Sequence, residues 1–162
     1  MVVAGPVSGR LSDKYGWRIF NVGGMLVAAI GLLVLVNIDT KDSIMIVLVG
    51  MIVQTIGSGT FWPSNNSSIL SVVSPASYGV IASFTNLVRN SGNVVGIAVS
   101  TAIVTGTMGS LGHPPTLSAI NEASDGPILN AFTIGLQNTF YVCIGFTLIA
   151  ALASLIGTSK KN

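Results

Sequence analysis

The sequence contains four blocks of apolar residues, each about as long as the hydrocarbon core of a bilayer. They cover residues 19–38, 44–61, 79–107 and 132–157. A helix needs about 20 apolar residues to cross that core, and inside lipid it must pair its backbone polar groups internally. The sequence therefore predicts an all-α integral membrane protein with four transmembrane helices. The blocks lack the period-2 alternation that is typical of membrane barrel strands.

Charged residues are too few for a soluble domain of this size. They make up 7% of the 162 residues, whereas an ordinary soluble domain has about 25%. The single cysteine, Cys143, and the single histidine, His113, exclude a zinc site and a Cys–His nucleophile. No cluster of catalytic residue types lies within the blocks. The sequence therefore predicts no enzyme, no metal site and no cofactor.

Basic residues are distributed unevenly between the two sides of the predicted bundle. One side holds the loop at residues 5–18, the connection at 62–78 and the carboxy-terminal tail. The basic residues on this side are Arg10, Lys14, Arg18, Lys160 and Lys161. The other side, with its outer loop at residues 108–127, holds only Lys41. The positive-inside rule thus predicts a multi-pass protein of the cell membrane with both termini in the cytoplasm.

The loop at residues 5–18 combines glycines with charges of both signs. Five of its residues are candidates for a cytoplasmic gating contact: Gly9, Asp13, Lys14, Gly16 and Arg18. The glycines permit sharp turns, and a carboxylate among cations can form an ion pair that breaks when parts of a transporter move. An ordinary charged loop beside the membrane explains the same residue types equally well.

The order Gly-x-Leu-x-Asp-Lys-x-Gly-x-Arg over residues 9–18 resembles the cytoplasmic loop signature of the major facilitator superfamily. Trp17 is a mild departure, because the signature often has a basic residue there. The resemblance implies a secondary transporter whose substrate site lies between two repeat halves.

Arg89 lies within the third block, at a depth of about 15 Å along a helix. A charge at that depth costs several kcal/mol unless it is paired or hydrated, so it is expected to face a cavity or the bundle interior. The candidates for a cavity lining are Gln54, Asn86, Arg89, Asn90 and Asn93. The candidates for close helix packing are Gly92, Gly96 and Ser100. Two alternatives remain open: a purely structural arginine, and a Gln54 that bonds a neighbouring helix.

A second resemblance comes from the middle of the chain. Phe61-Trp62-Pro63, Asn66, Pro75 and Gly79 precede Asn86-x-x-Arg89-x-x-Gly92-x-x-x-Gly96. This order is similar to that in the drug–proton antiporter branch with fourteen spans. The resemblance implies that the four blocks are the last four spans, a partial carboxy-terminal domain. It also implies proton-coupled efflux of drugs or organic cations, with a small amphiphilic or cationic substrate.

The four blocks contain no Asp or Glu. Proton-coupled transporters use carboxylates within the membrane as relays, and the resemblance places these acids in the amino-terminal half. The chain is therefore not expected to transport alone, and its expected partner is that half or another subunit. The alternative is a non-transporting membrane module, or an inactive truncated remnant, that packs against a partner membrane protein.

Overall fold

The computed structural model describes residues 17–38, 44–122 and 126–156 of the chain. Its α-helices are α1 (Trp17–Val36), α2 (Ile44–Leu70), α3 (Tyr78–Ser110), α4 (Ser118–Glu122) and α5 (Gly126–Ile156). A 3-10 turn, Pro75–Ser77, precedes α3. The described residues contain no strand.

Four of the helices, α1, α2, α3 and α5, are long and apolar enough to cross a membrane. Many of their large apolar side chains lie outside any core, as lipid-facing side chains do. Val80, Val94 and Ile97 on α3, for example, are 72%, 68% and 69% exposed. The predicted all-α membrane fold with four spans is confirmed.

Helix α2 extends well beyond the apolar block at residues 44–61. The sequence places a connection from Trp62 onward, but α2 continues through Pro63 to Leu70. Two hydroxyl groups beside the proline bond to the preceding turn: Thr60 Oγ1 donates to the Ile56 carbonyl at 2.9 Å, and Ser64 Oγ donates to the Thr60 carbonyl at 3.1 Å. Pro63 removes the N–H that would reach the Gly59 carbonyl, and both hydroxyls bond to other carbonyls, so the helix continues despite the lost bond.

The connection between α3 and α5 is shorter than the predicted loop at residues 108–127. Helix α3 ends at Ser110, α4 occupies part of the connection, and α5 begins at Gly126 rather than near residue 132. Pro127 lies in the first turn of α5, where a missing N–H costs nothing because the first N–H groups have no partner within the helix.

Helices α1 and α2 pack antiparallel with their backbones in close contact at glycines. A Cβ atom added to Gly24 would lie 2.8 Å from the Gly57 carbonyl oxygen and 2.8 Å from the Phe61 nitrogen. A Cβ on Gly31 would meet the backbone of Gln54, and one on Gly57 would meet the backbone of Ala28. Small residues at such positions let membrane helices gain van der Waals contact. We call these three glycines the glycine seam.

Helix α5 packs between α1 and α3. Arg18 Nη2, at the start of α1, donates to the Leu155 carbonyl at 2.6 Å, and Gln137 Nε2 donates to the Ile38 carbonyl beyond the end of α1 at 2.8 Å. On its other side, α5 packs against the second half of α3, where Met108 is fully buried and a Cβ on Gly135 would lie 2.9 Å from the Val104 Cα atom. The helices therefore follow the spatial order α2–α1–α5–α3.

The glycine seam predicts a sharp difference between two adjacent glycines. Gly24→Ala inserts a methyl group against the backbone of α2, whereas a Cβ on Gly23 meets no atom within 4 Å. Overpacking of this kind costs about 1–3 kcal/mol. We expect Gly24→Ala to lower the thermal unfolding midpoint in detergent micelles, with Gly23→Ala close to the unmodified chain. Equal midpoints for the two variants would contradict the seam.

Candidate functional site

A groove lies between the second half of α2 and the first half of α3. These helices are joined by the short connection at residues 71–77, but they do not pack along their length. The groove has two adjoining parts, with Arg89 and Trp62 in the wall of both. The polar part is additionally lined by Asn66, Ile69, Leu70, Ile81, Ala82, Thr85 and Asn86. The apolar part is additionally lined by Phe61, Asn65, Ile69, Ile81, Phe84, Thr85 and Val88.

Arg89 crosses the groove from α3 to α2. Its guanidinium carbon lies 5.5 Å from the centroid of the Trp62 ring, which is cation–π geometry. On α3 itself, Arg89 Nη2 donates to Asn86 Oδ1 at 2.6 Å. Trp62 is held in turn by an edge contact with Phe61, with the ring centroids 5.5 Å apart. The guanidinium is thus oriented from both sides of the groove.

The two parts of the groove differ in size and chemistry. The polar part encloses a volume of about 160 Å³ and is bordered by two amide side chains, Asn66 and Asn86, as well as the guanidinium. The apolar part encloses about 500 Å³ and is bordered mainly by aromatic and aliphatic side chains. Apolar pockets of this size with a few polar groups are typical of small-molecule sites.

Gln54 lies in a different groove, of about 340 Å³, between α1, α2 and α5. Its amide donates to Ser58 Oγ, one turn later on α2, at 3.2 Å. The structure therefore places Gln54 beside a cavity and gives it a hydrogen bond within its own helix rather than to a neighbouring one. Trp62 borders this groove too.

The structure brings only two of the predicted cavity residues, Asn86 and Arg89, into the α2–α3 groove. Asn90 and Asn93 are exposed on α3 and do not line the groove. A Cβ on Gly92 or Gly96 would meet no atom of the described residues within 4 Å, and Ser100 is partly buried. The close packing predicted for Gly92 and Gly96 is therefore not made within the described part of the chain and remains a prediction about a partner.

Of the predicted gating residues, only Arg18 lies within the described part of the chain. Gly9, Asp13, Lys14 and Gly16 lie outside the described residues. Arg18 places a cation at the last turn of α5, where the unpaired carbonyl groups and the helix dipole favour positive charge.

Sequence reasoning misses the contribution of α2 to the groove. Trp62, Asn65, Asn66 and Ile69 all line it and follow the helical spacing i, i+3, i+4 and i+7. This signal is present in the sequence, but it extends across Pro63 and into a polar segment, features that are also typical of a connection.

Comparison with known proteins assigns the fold to a family. The model of the Major Facilitator Superfamily matches residues 1–162. The chain belongs to this superfamily. The resemblance in the loop at residues 9–18 is thereby confirmed at the level of the superfamily, which is a family of transporters.

Three curated members of the superfamily show what the chain is similar to. The lincomycin resistance protein LmrB of Listeria innocua is 26% identical over 156 residues, which cover 96% of this chain and 32% of that protein. The LmrB protein of Listeria monocytogenes is 25% identical over 156 residues, which again cover 96% of this chain and 32% of that protein. The riboflavin transporter RibZ of Clostridioides difficile is 31% identical over 98 residues, 60% of this chain and 22% of that transporter. The chain thus spans at most about a third of the length of these relatives. No solved structure matches the chain significantly.

The contact between Arg89 and Trp62 predicts a change in the exposure of the indole ring. In a Trp17→Phe background, Trp62 is the only tryptophan. Arg89→Ala removes the guanidinium from the ring face, a contact worth about 0.5–1 kcal/mol at an exposed site. We expect stronger quenching of Trp62 fluorescence by acrylamide. Asn90→Ala, on the same helical turn but outside the groove, is the control and should leave the quenching unchanged. Unchanged quenching in Arg89→Ala would refute the contact between the guanidinium and the Trp62 ring.

Proposed function

We propose that this chain forms the carboxy-terminal part of a secondary active transporter that exports drugs or other small amphiphilic compounds, including organic cations. The observation that carries the proposal is the match of 96% of the chain to 32% of a lincomycin resistance protein. The groove between α2 and α3 supports it, because it presents one charged group and several amides beside an apolar wall. The resemblance of Asn86, Arg89, Gly92 and Gly96 to the fourteen-span drug–proton antiporters supports the choice of branch.

Proton coupling is part of the proposal, and its acidic relay is assigned to residues outside the four long helices. These helices carry no Asp or Glu in the part of the chain that the structure describes. Intramembrane carboxylates are the usual proton relays of transporters. The chain is therefore proposed to act with the amino-terminal half of the transporter or with another subunit that supplies the acid.

The transport proposal is tested by expression in an efflux-deficient bacterial host. The chain is produced alone, and also joined to the coding sequence that precedes Met1 in its genome. We expect proton-dependent export of ethidium only from the longer product, because the groove of this chain is bordered on two sides by the described helices and needs further walls. A protonophore should abolish this export, because the proposed exchange is driven by protons.

Two outcomes would contradict the transport proposal. Strong protonophore-sensitive export by the 162-residue chain alone would show that no further part is required. A longer product that inserts into the membrane but exports none of a panel of cationic, neutral and anionic dyes would reject efflux as the function.

The membrane orientation is a second part of the proposal, with both termini in the cytoplasm of the cell. It is supported by the excess of basic residues on one side and by the hydrogen bond that places the start of α1 beside the end of α5. In a Cys143→Ser background, we expect a membrane-impermeant maleimide to label Thr116→Cys in intact cells. Ser74→Cys, equally exposed in the α2–α3 connection, should react only after permeabilisation. The reverse pattern would overturn the orientation.

A second candidate function is a non-transporting module that packs against a partner membrane protein. It is favoured by the open space beside Gly92 and Gly96, which a partner helix would fill. A photoreactive residue at position 96 should then crosslink to another membrane protein. Capture of lipid alone, or of a second copy alone, counts against this candidate.

A further inference from the structure

The charge in the α2–α3 groove has no opposite charge nearby within the described part of the chain. Among the described residues that line the groove, Arg89 is the only charged one. The described residues of the four long helices contribute no carboxylate at any depth. A cation within a membrane is stabilised by an anion or by water. The groove therefore attracts an anion rather than a second cation.

Arg89 also retains unused donors. A guanidinium has five N–H donors in a planar fork, and the structure shows one of its nitrogens, Nη2, bonded to Asn86 Oδ1. The guanidinium carbon also lies 5.5 Å from the centroid of the Trp62 ring. These two contacts orient the side chain, and they leave its remaining donors available to a planar acceptor. Carboxylates and phosphates both match such a fork, and of the two only the carboxylate is planar.

The arrangement of the groove adds a second requirement for the ligand. Arg89 lies where the polar part meets the larger apolar part, and both parts share Trp62 as a wall. Phe84 and Val88 extend the apolar wall from the guanidinium along α3. A ligand that places its charged group on Arg89 would therefore place an aromatic or aliphatic body against these side chains.

We propose that the α2–α3 groove binds amphiphilic organic carboxylates, with the carboxylate on Arg89 and the apolar body between Trp62 and Phe84. This inference deepens the proposed function by naming a substrate class for the same protein. It rests on the proposed function only for the statement that the bound compound is the one transported. Binding itself requires no transport.

The test uses Trp62 as the reporter in the Trp17→Phe chain, reconstituted in phosphatidylcholine nanodiscs. Three quenchers with the same aromatic body are titrated: 4-nitrobenzoate, 4-nitrobenzamide and 4-nitrobenzylammonium. They differ chiefly in whether the head group is anionic, neutral or cationic. We expect half-maximal quenching by the carboxylate at a concentration about tenfold below that of the amide, as one charge-assisted hydrogen-bonded pair would give. The cation should be the weakest.

Three variants assign the selectivity to Arg89. Arg89→Gln should reduce the carboxylate-to-amide ratio to about one, because the fork and the charge are both lost. Arg89→Lys keeps the charge without the fork and should retain part of the ratio. Asn90→Leu, which lies outside the groove, should retain all of it. Circular dichroism of each variant separates loss of binding from loss of helix, and a helical Arg89→Lys chain still tests the inference where Arg89→Gln misfolds.

Several results would overturn the inference. Equal quenching by the three compounds, or preference for the cation, would show that the groove does not select carboxylates. A carboxylate preference that survives in Arg89→Gln would place the site elsewhere. Displacement of 4-nitrobenzoate by dihexanoyl phosphatidylglycerol, but not by dihexanoyl phosphatidylcholine, would identify the anion as a lipid head group instead. Charge-selective binding by a protein that exports nothing would reject the transport function alone.

Discussion

The close backbone contact between α1 and α2 is the constraint on which the rest of the structure depends. Lipid chains are as apolar as the side chains they surround, so packing two helices together gives no hydrophobic gain. Helices in lipid therefore associate through van der Waals contact and interhelical hydrogen bonds. Gly24, Gly31 and Gly57 provide that contact for α2. Helix α5 then holds α1 by hydrogen bonds at both ends and holds α3 on its other side. Since α5 is the long helix on which α3 packs, the row α2–α1–α5–α3 stays open, and the groove is the space between its two outer helices.

The continuation of α2 through Pro63 gives this groove its second wall. A connection starting at Trp62 would leave the indole without a fixed position. The helix instead carries Trp62, Asn66 and Ile69 along one face toward α3. A membrane favours this outcome, because proline removes one backbone hydrogen bond, whereas an irregular segment in lipid would leave several backbone groups unpaired. Backbone hydrogen bonding keeps α2 helical past Pro63, and this places Trp62 within reach of Arg89.

The sequence is sufficient for the number and class of the long helices but not for their partners. Apolar blocks predict four spans because hydropathy is a property of one chain segment at a time. Hydropathy also predicts that α2 ends at Phe61, because the residues that follow are polar and include Pro63. The sequence identifies Arg89 as a candidate because a charge deep within a membrane helix is costly in any arrangement of the helices. Asn86 is identified with it because it lies one turn earlier on the same helical face. The glycines show that sequence spacing alone does not identify which helices pack together. Gly92 and Gly96 have the packing spacing and face open space, while Gly24 and Gly57 are closed against backbone. Spacing indicates that a helix can approach, but only the three-dimensional arrangement determines which helix does.

The sign of the charge in the groove separates two kinds of compound that the proposed transporter could carry. An organic cation beside Arg89 would meet like charge in a medium that screens poorly, and the four long helices, as far as the structure describes them, offer no carboxylate to offset it. Such a substrate requires an acid from outside these helices, placed close enough to pair with the cation or with Arg89. An organic anion requires no such group, because Arg89 is its counter-charge. In the proposed transporter, a cationic substrate would therefore need acidic residues beyond these four helices for its charge as well as for proton coupling, whereas an anionic substrate would need them for proton coupling but not as a counter-charge.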